Sequence, residues 1–133
     1  MIKEFEIPVY GDDSPQRIIL LISTDESNYN NNLKKLRKKY NVLEETTFYE
    51  LFDFRAYLQI VQCANKRTHF LLCWKKGEKH ISTLVHESVH LVNFIFESRG
   101  IKSTMDNDEI FTYYQERIFN TLYPFLFHPA KPL

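Results

Sequence analysis

Two histidines and a glutamate stand together in the segment His86-Glu87-Ser88-Val89-His90. In a helix, positions i and i+4 lie one turn apart on the same face, so His86 and His90 can direct both imidazoles at one ion. Glu87 is rotated by about 100° from His86, so its carboxylate can approach a water molecule at that ion without becoming a ligand. The spacing therefore predicts a Zn²⁺ site with His86 and His90 as ligands and Glu87 as a general base.

The surroundings of this segment have the pattern of an amphipathic helix. Helical character is expected from Ser82 or Thr83, either of which could cap, to about Ser98, with Gly100 as a left-handed C-terminal cap. The apolar stripe expected to face the core consists of Leu84, Val85, Val89, Val92, Ile95 and Phe96. A second face carries His86, His90, Asn93 and Glu97. A helix that buries one face and presents both histidines on another fits a metal-binding helix.

A catalytic zinc site uses a third protein ligand and keeps one position open. Glu109 lies nineteen residues after His90, near the start of the next predicted helix. The predicted helix extends about 12 Å beyond His90. The loop that follows can cover that distance at about 3.3 Å per residue, so the chain can return Glu109 to the metal. Glu109 is therefore the favoured third ligand, with Asp108 and Glu116 as competing ligands. Glu109 could instead complete a capping box with Asp106.

Two further residues are placed to support the ligands. Asn93 follows His90 by three residues and Tyr113 follows Glu109 by four, so both can lie on the metal-facing sides of their helices. Such groups commonly hydrogen-bond a ligand or line the cleft. An exposed Asn93 and a Tyr113 in the core is the alternative interpretation.

The string HESVH, followed by a glutamate about twenty residues later on a second helix, resembles the gluzincin branch of zinc metallopeptidases. The stretch from Thr83 to Tyr114, about a quarter of the chain, is similar to small, often phage-encoded proteins of minimal gluzincin type. The resemblance implies that His86, His90 and Glu109 bind zinc and that Glu87 is the general base. It further implies hydrolysis of a peptide or protein substrate, laid along an edge strand of the upstream hairpin.

The chain differs from full gluzincin peptidases, and alternative functions stay open. Full gluzincin peptidases are much larger and bring a His or Tyr from a later domain to steady the tetrahedral intermediate. The residues available for that role here are His80, Tyr113, Tyr114, Tyr123 and His128. The alternative function is a non-catalytic, zinc-bearing phage structural or interaction protein that retains the zincin fold. A weaker resemblance is to regulatory proteases of the ImmA/IrrE type, whose Glu-x-Glu-Ala-Asn pattern is missing from the second helix. The intact Glu87 favours an enzyme.

The rest of the chain predicts an α+β fold in one domain, 1–133. Its expected features are a small antiparallel or mixed sheet with a hairpin, then the HExxH helix and a second helix. Strands are expected at 2–9, 17–23, 56–64 and 68–74, with a turn at 11–15 and a tight reversal at 65–67. Helices are expected at 32–40 and from 106 or 107 to about 122, before Pro124. Residues 25–32 could be a loop or a capped helix start, and 48–54 are ambiguous.

The composition of the chain limits the classes of binding partner that are expected. Lys+Arg and Asp+Glu are both 17, so the formal net charge is zero and predicts no nucleic-acid or membrane partner. The lysine-rich run 34–39 is interpreted as a solvated helix face, with an anionic partner as the alternative. Cys63 and Cys73 form no CxxC pair and are expected to be reduced, half-buried thiols in strands. With no signal-peptide pattern and no apolar span, the predicted location is cytoplasmic, in a bacterial host or with a virion if phage-encoded.

Overall fold

A computed structural model describes residues 2–6, 16–64, 66–102 and 104–127 of the chain. The fold is α+β, as predicted, with a four-stranded mixed sheet and α-helices. The residues group into two compact units, Met1–Glu78 and Lys79–Leu133. The single domain over 1–133 stays a prediction.

The first unit is built on the sheet. Its strands are β1 (Ile2–Glu6), β2 (Arg17–Ser23), β3 (Ala56–Gln62) and β4 (Thr68–Lys75), in the spatial order β1-β2-β4-β3. β2 and β4 are parallel, and the other two pairs are antiparallel. The predicted hairpin of β3 and β4 is confirmed. The end of the predicted first strand, the turn at 11–15 and Asn65 in the reversal lie outside the described residues.

Helix α1 (Glu26–Lys39) begins six residues earlier than the predicted bound at 32. Asp25 is its N-cap, and its Oδ1 accepts a 2.8 Å hydrogen bond from the Asn28 amide. The polar run before residue 32 is therefore the capped helix start, not the loop. It also contains a core residue, because Tyr29 is fully buried.

The core of this unit lies between α1 and one face of the sheet. It consists of Ile19, Leu21, Tyr29, Leu33, Leu36, Val42, Phe48, Val61, Cys63, Leu71 and Cys73. The Tyr29 hydroxyl donates to the Tyr49 carbonyl at 2.5 Å and also hydrogen-bonds the Tyr57 hydroxyl. The aromatic-rich stretch 48–54, ambiguous from sequence, forms no strand and packs rings against Tyr29 through Phe52 and Phe54.

Both cysteines are free thiols, as expected, but they are fully buried and not half-buried. Burial raises the pKa of the Cys73 thiol to about 12, so this thiol is protonated at neutral pH. Cys73 belongs to the hydrophobic core of this unit.

The second unit consists of α2 (Ile81–Ser98), a 3₁₀ turn (Met105–Asn107) and α3 (Asp108–Phe127). α2 and α3 pack through Phe96, whose ring lies 5.5 Å from that of Phe111 and 5.9 Å from that of Tyr114 between centroids. Among the residues that the structure describes, no helix has the length and apolar character needed to cross a membrane.

The ends of these helices correct two predictions and confirm one. Gly100 has φ +67° just beyond the end of α2, which is the predicted left-handed cap. The N-cap is His80, because Ile81 is already helical, so a cap at Ser82 or Thr83 is wrong. α3 also continues past Pro124 to Phe127, since a proline in the last turn removes one donor and leaves its other hydrogen bonds in place.

Arg37 holds the segment that follows α1 in place by hydrogen bonds to its backbone carbonyls. Its Nη1 donates to the Leu43 carbonyl at 3.2 Å and its Nη2 donates to the Thr46 carbonyl at 2.7 Å. The guanidinium also lies 4.7 Å from the centre of the Phe48 ring. Arg37→Gln should lower the free energy of unfolding by about 1–3 kcal/mol, because both carbonyls lose a charged donor.

The measurement is urea denaturation. Lys35→Gln is the matched control, since it removes the same charge from an exposed position of α1. It should change stability by less than about 0.5 kcal/mol. Equal effects of the two substitutions would show that Arg37 does not hold the segment.

Candidate metal centre

α2 presents the two histidines on its exposed face, as predicted. His86, His90, Asn93 and Glu97 are all exposed. The buried face differs from the prediction and consists of Leu84, Glu87, Ser88, Leu91, Val92, Ile95 and Phe96. Val85 was expected in that stripe, but it is 42% exposed. The buried stripe runs through Leu84, Leu91 and Ile95, which recur at helical spacing. Glu87 and Ser88 lie on the same side of the helix as these residues and are therefore buried.

The two imidazoles converge at their outer nitrogens. His86 Nε2 and His90 Nε2 are 3.0 Å apart, and the ring planes are inclined at 79° with centroids 4.5 Å apart. Two imidazoles bound to one tetrahedral zinc at about 2.0–2.1 Å place their nitrogens about 3.3 Å apart. Moving the two Nε2 atoms apart by a few tenths of an ångström would therefore allow both rings to bind one ion. The same distance also allows a hydrogen bond, if one ring is protonated at Nε2 and the other is not.

Glu87 lies beside this pair in a different environment. Its side chain is only 8% exposed. Within the part of the chain that the structure describes, its carboxylate forms no hydrogen bond or ion pair. Burial raises the pKa of the Glu87 carboxyl above its ordinary value, and the charge of His86 opposes that rise. Titratable groups whose pKa is shifted by burial and by a neighbouring charge are common at functional sites.

The third ligand is not brought to the histidines. No group of three or more His, Cys, Asp or Glu side chains that could hold a metal occurs in residues 2–6, 16–64, 66–102 and 104–127. Glu109 lies exposed in the first turn of α3, and Asp108 and Glu116 are exposed as well. Glu97 shares the histidine face, but it is seven residues beyond His90, about 10 Å along the axis. The assignment of Glu109 therefore stays a prediction.

The two expected supporting residues have different surroundings. Asn93 is exposed on the same face as the histidines. Tyr113 is 50% exposed, and its hydroxyl accepts a 3.0 Å hydrogen bond from Arg117 Nη1. Tyr113 is thus not a core residue, which removes that part of the alternative interpretation. Their roles beside a metal stay predictions.

Sequence reasoning missed the position of Ser88. This side chain is 1% exposed, and its Oγ has no hydrogen-bond partner among the described residues. Its burial could have been predicted from the spacing of Leu84, Leu91 and Ile95, because an apolar stripe through these residues includes positions 87 and 88. The chain therefore buries two polar side chains in succession between its two candidate ligands.

The converging imidazoles lead to a metal-binding prediction. Purified protein should bind about one zinc per chain, and His86→Ala or His90→Ala should abolish that binding, because each removes one of two adjacent nitrogen ligands. Elemental analysis after dialysis measures the stoichiometry. His80→Ala, which removes an exposed histidine just before α2, is the control and should retain the metal. Stoichiometric zinc in the His86→Ala/His90→Ala double variant would exclude this site.

A second prediction concerns the third ligand. Glu109→Gln should weaken zinc binding by more than about tenfold, since a neutral amide replaces an anionic oxygen ligand. Glu116→Gln and Asp108→Asn, at neighbouring exposed carboxylates of α3, should have little effect. Competition with a coloured chelator measures the affinities. If Asp108→Asn or Glu116→Gln has the larger effect, that residue is the ligand and the assignment of Glu109 is wrong.

The chain matches no family model, no curated protein and no solved structure. The features of this chain that bear on its function are therefore the HESVH segment and the surroundings of Glu87.

Proposed function

We propose that this protein is a zinc-dependent metallopeptidase of gluzincin-like type that hydrolyses a peptide or protein. The observation that carries the proposal is the largely buried side chain of Glu87, 8% exposed, in the same helical turn as two imidazole nitrogens 3.0 Å apart. A purely structural zinc site has no need of such a carboxylate. A pair of surface histidines without a metal has no need of it either.

The proposed ligands are His86, His90 and Glu109. The first two fit the ion by their converging nitrogens. The carboxylate of Glu109 would complete a donor set of two nitrogens and one oxygen, which catalytic zinc sites use. Zinc bound there would act as a Lewis acid that polarises a carbonyl and lowers the pKa of a water molecule at the site.

Glu87 would move the proton. Its Cα–Cβ direction is rotated by about 100° from that of His86, so its carboxylate can face the attacking water without joining the ligands. An oxygen of Glu87 would accept the proton of the water during attack on the peptide carbonyl. The same oxygen would then donate that proton to the nitrogen of the leaving amine.

Glu87→Gln tests this role, because it keeps size and polarity but removes the base. The variant should fold and bind zinc like the wild type, and its peptide cleavage should fall by about 10²–10⁴-fold. The assay is digestion of a broad peptide library, read by mass spectrometry, with both proteins loaded with zinc. Glu97→Gln, at an exposed glutamate of the same helix, is the matched control and should cleave like the wild type.

Two outcomes oppose the proposal. Equal cleavage by wild type and Glu87→Gln would show that Glu87 is not the base. No cleavage by the zinc-loaded wild type would favour the alternative, a non-catalytic zinc-bearing structural or interaction protein.

A further inference from the structure

Three lysines form a cluster on the exposed face of α1. Lys34, Lys35 and Lys38 are all exposed, and no described carboxylate pairs with any of them. Lys34 and Lys38 are four residues apart and Lys35 and Lys38 are three apart, so their ammonium groups are neighbours on the helix surface. The residues one turn earlier, Asn30 and Asn31, carry no charge. The cluster therefore places like charges together, which destabilises a helix by itself.

Interaction with the helix dipole accounts for only part of this charge. Basic residues in the last turn of α1, which are Arg37, Lys38 and Lys39, are favourable next to the negative end of the dipole. That effect is confined to the last turn, so it does not explain Lys34 and Lys35. Arg37 is already engaged with two backbone carbonyls and the Phe48 ring, and it does not belong to the cluster.

We propose that this lysine cluster is a docking site for an acidic segment of a partner protein. Carboxylates on such a segment are complementary in charge to the three ammonium groups. Each ammonium has three donors and no fixed plane, so it can pair with a single carboxylate at many angles. The exposed side chains of Ser27, Asn30 and Asn31, which continue the same face towards the start of α1, add neutral hydrogen-bonding groups.

Other anionic partners fit this face less well. Binding of single-stranded nucleic acid uses aromatic side chains for base stacking, and the exposed face has none. A bilayer surface is bound by a basic face together with apolar residues that insert, which are missing from it as well. The formal net charge of zero gives duplex DNA no long-range attraction to the protein. Short-range pairing with an acidic peptide segment needs no such field.

The probe is a fluorescein-labelled peptide of about twelve residues in which glutamate alternates with serine, and binding is measured by fluorescence anisotropy in low and moderate salt. The wild-type protein should bind it, more weakly as salt is raised. The triple variant Lys34→Gln/Lys35→Gln/Lys38→Gln should bind about tenfold more weakly, from the loss of three exposed ion pairs. Circular dichroism checks that the variant is folded.

The control is Lys66→Gln/Lys76→Gln/Lys79→Gln, which removes the same charge from other exposed positions and should weaken binding less than about twofold. An equal loss in both triple variants would show a response to net charge, and the proposal would be wrong. No binding by the wild type would also overturn it. Tighter binding of a duplex DNA of equal charge, lost in the cluster variant, would assign the site to phosphates instead.

Discussion

The helical repeat of α2 imposes the constraint on which the candidate site depends. A turn of 3.6 residues brings His86 and His90 onto one face, and their Nε2 atoms are 3.0 Å apart. The same repeat places Glu87 beside His86 but within the buried stripe, where it is 8% exposed. One short segment thus provides two accessible imidazole nitrogens and one largely buried carboxylate. Packing of Leu84, Leu91 and Ile95 fixes this orientation, because rotating the helix to expose Glu87 would expose them as well.

The first unit is stabilised by a different set of interactions. Tyr29 connects α1 to the irregular segment after it through the Tyr49 carbonyl and the Tyr57 hydroxyl, and Arg37 fastens the start of that segment. These polar contacts satisfy backbone groups that no strand or helix would otherwise satisfy. The outward face of α1 takes no part in these contacts. The lysine cluster lies on that face, where substitutions cost little stability, and so a binding role can be tested without unfolding the protein.

The features that depend on neighbours in sequence could be predicted from the sequence. The convergence of His86 and His90 follows from their spacing, and the hairpin of β3 and β4 follows from two apolar runs around a short reversal. The start of α1 was readable as one of two options, because Asp25 is a good N-cap. The burial of Glu87 was not predicted, because the expected stripe included Val85 and Val89 and omitted Leu91. The third ligand depends on how α2 and α3 pack through Phe96, Phe111 and Tyr114, and no local pattern determines that geometry.

X-ray absorption at the zinc edge tests the central claim most directly, because it reports the atoms around the metal without requiring a substrate. Zinc-loaded protein should give the multiple-scattering pattern of two imidazoles with nitrogen at about 2.0 Å, and oxygen in the remaining positions. Replacing His90 by alanine should reduce the imidazole count or release the metal. A spectrum with sulfur at about 2.3 Å, or with oxygen neighbours alone, would place zinc elsewhere and contradict the account.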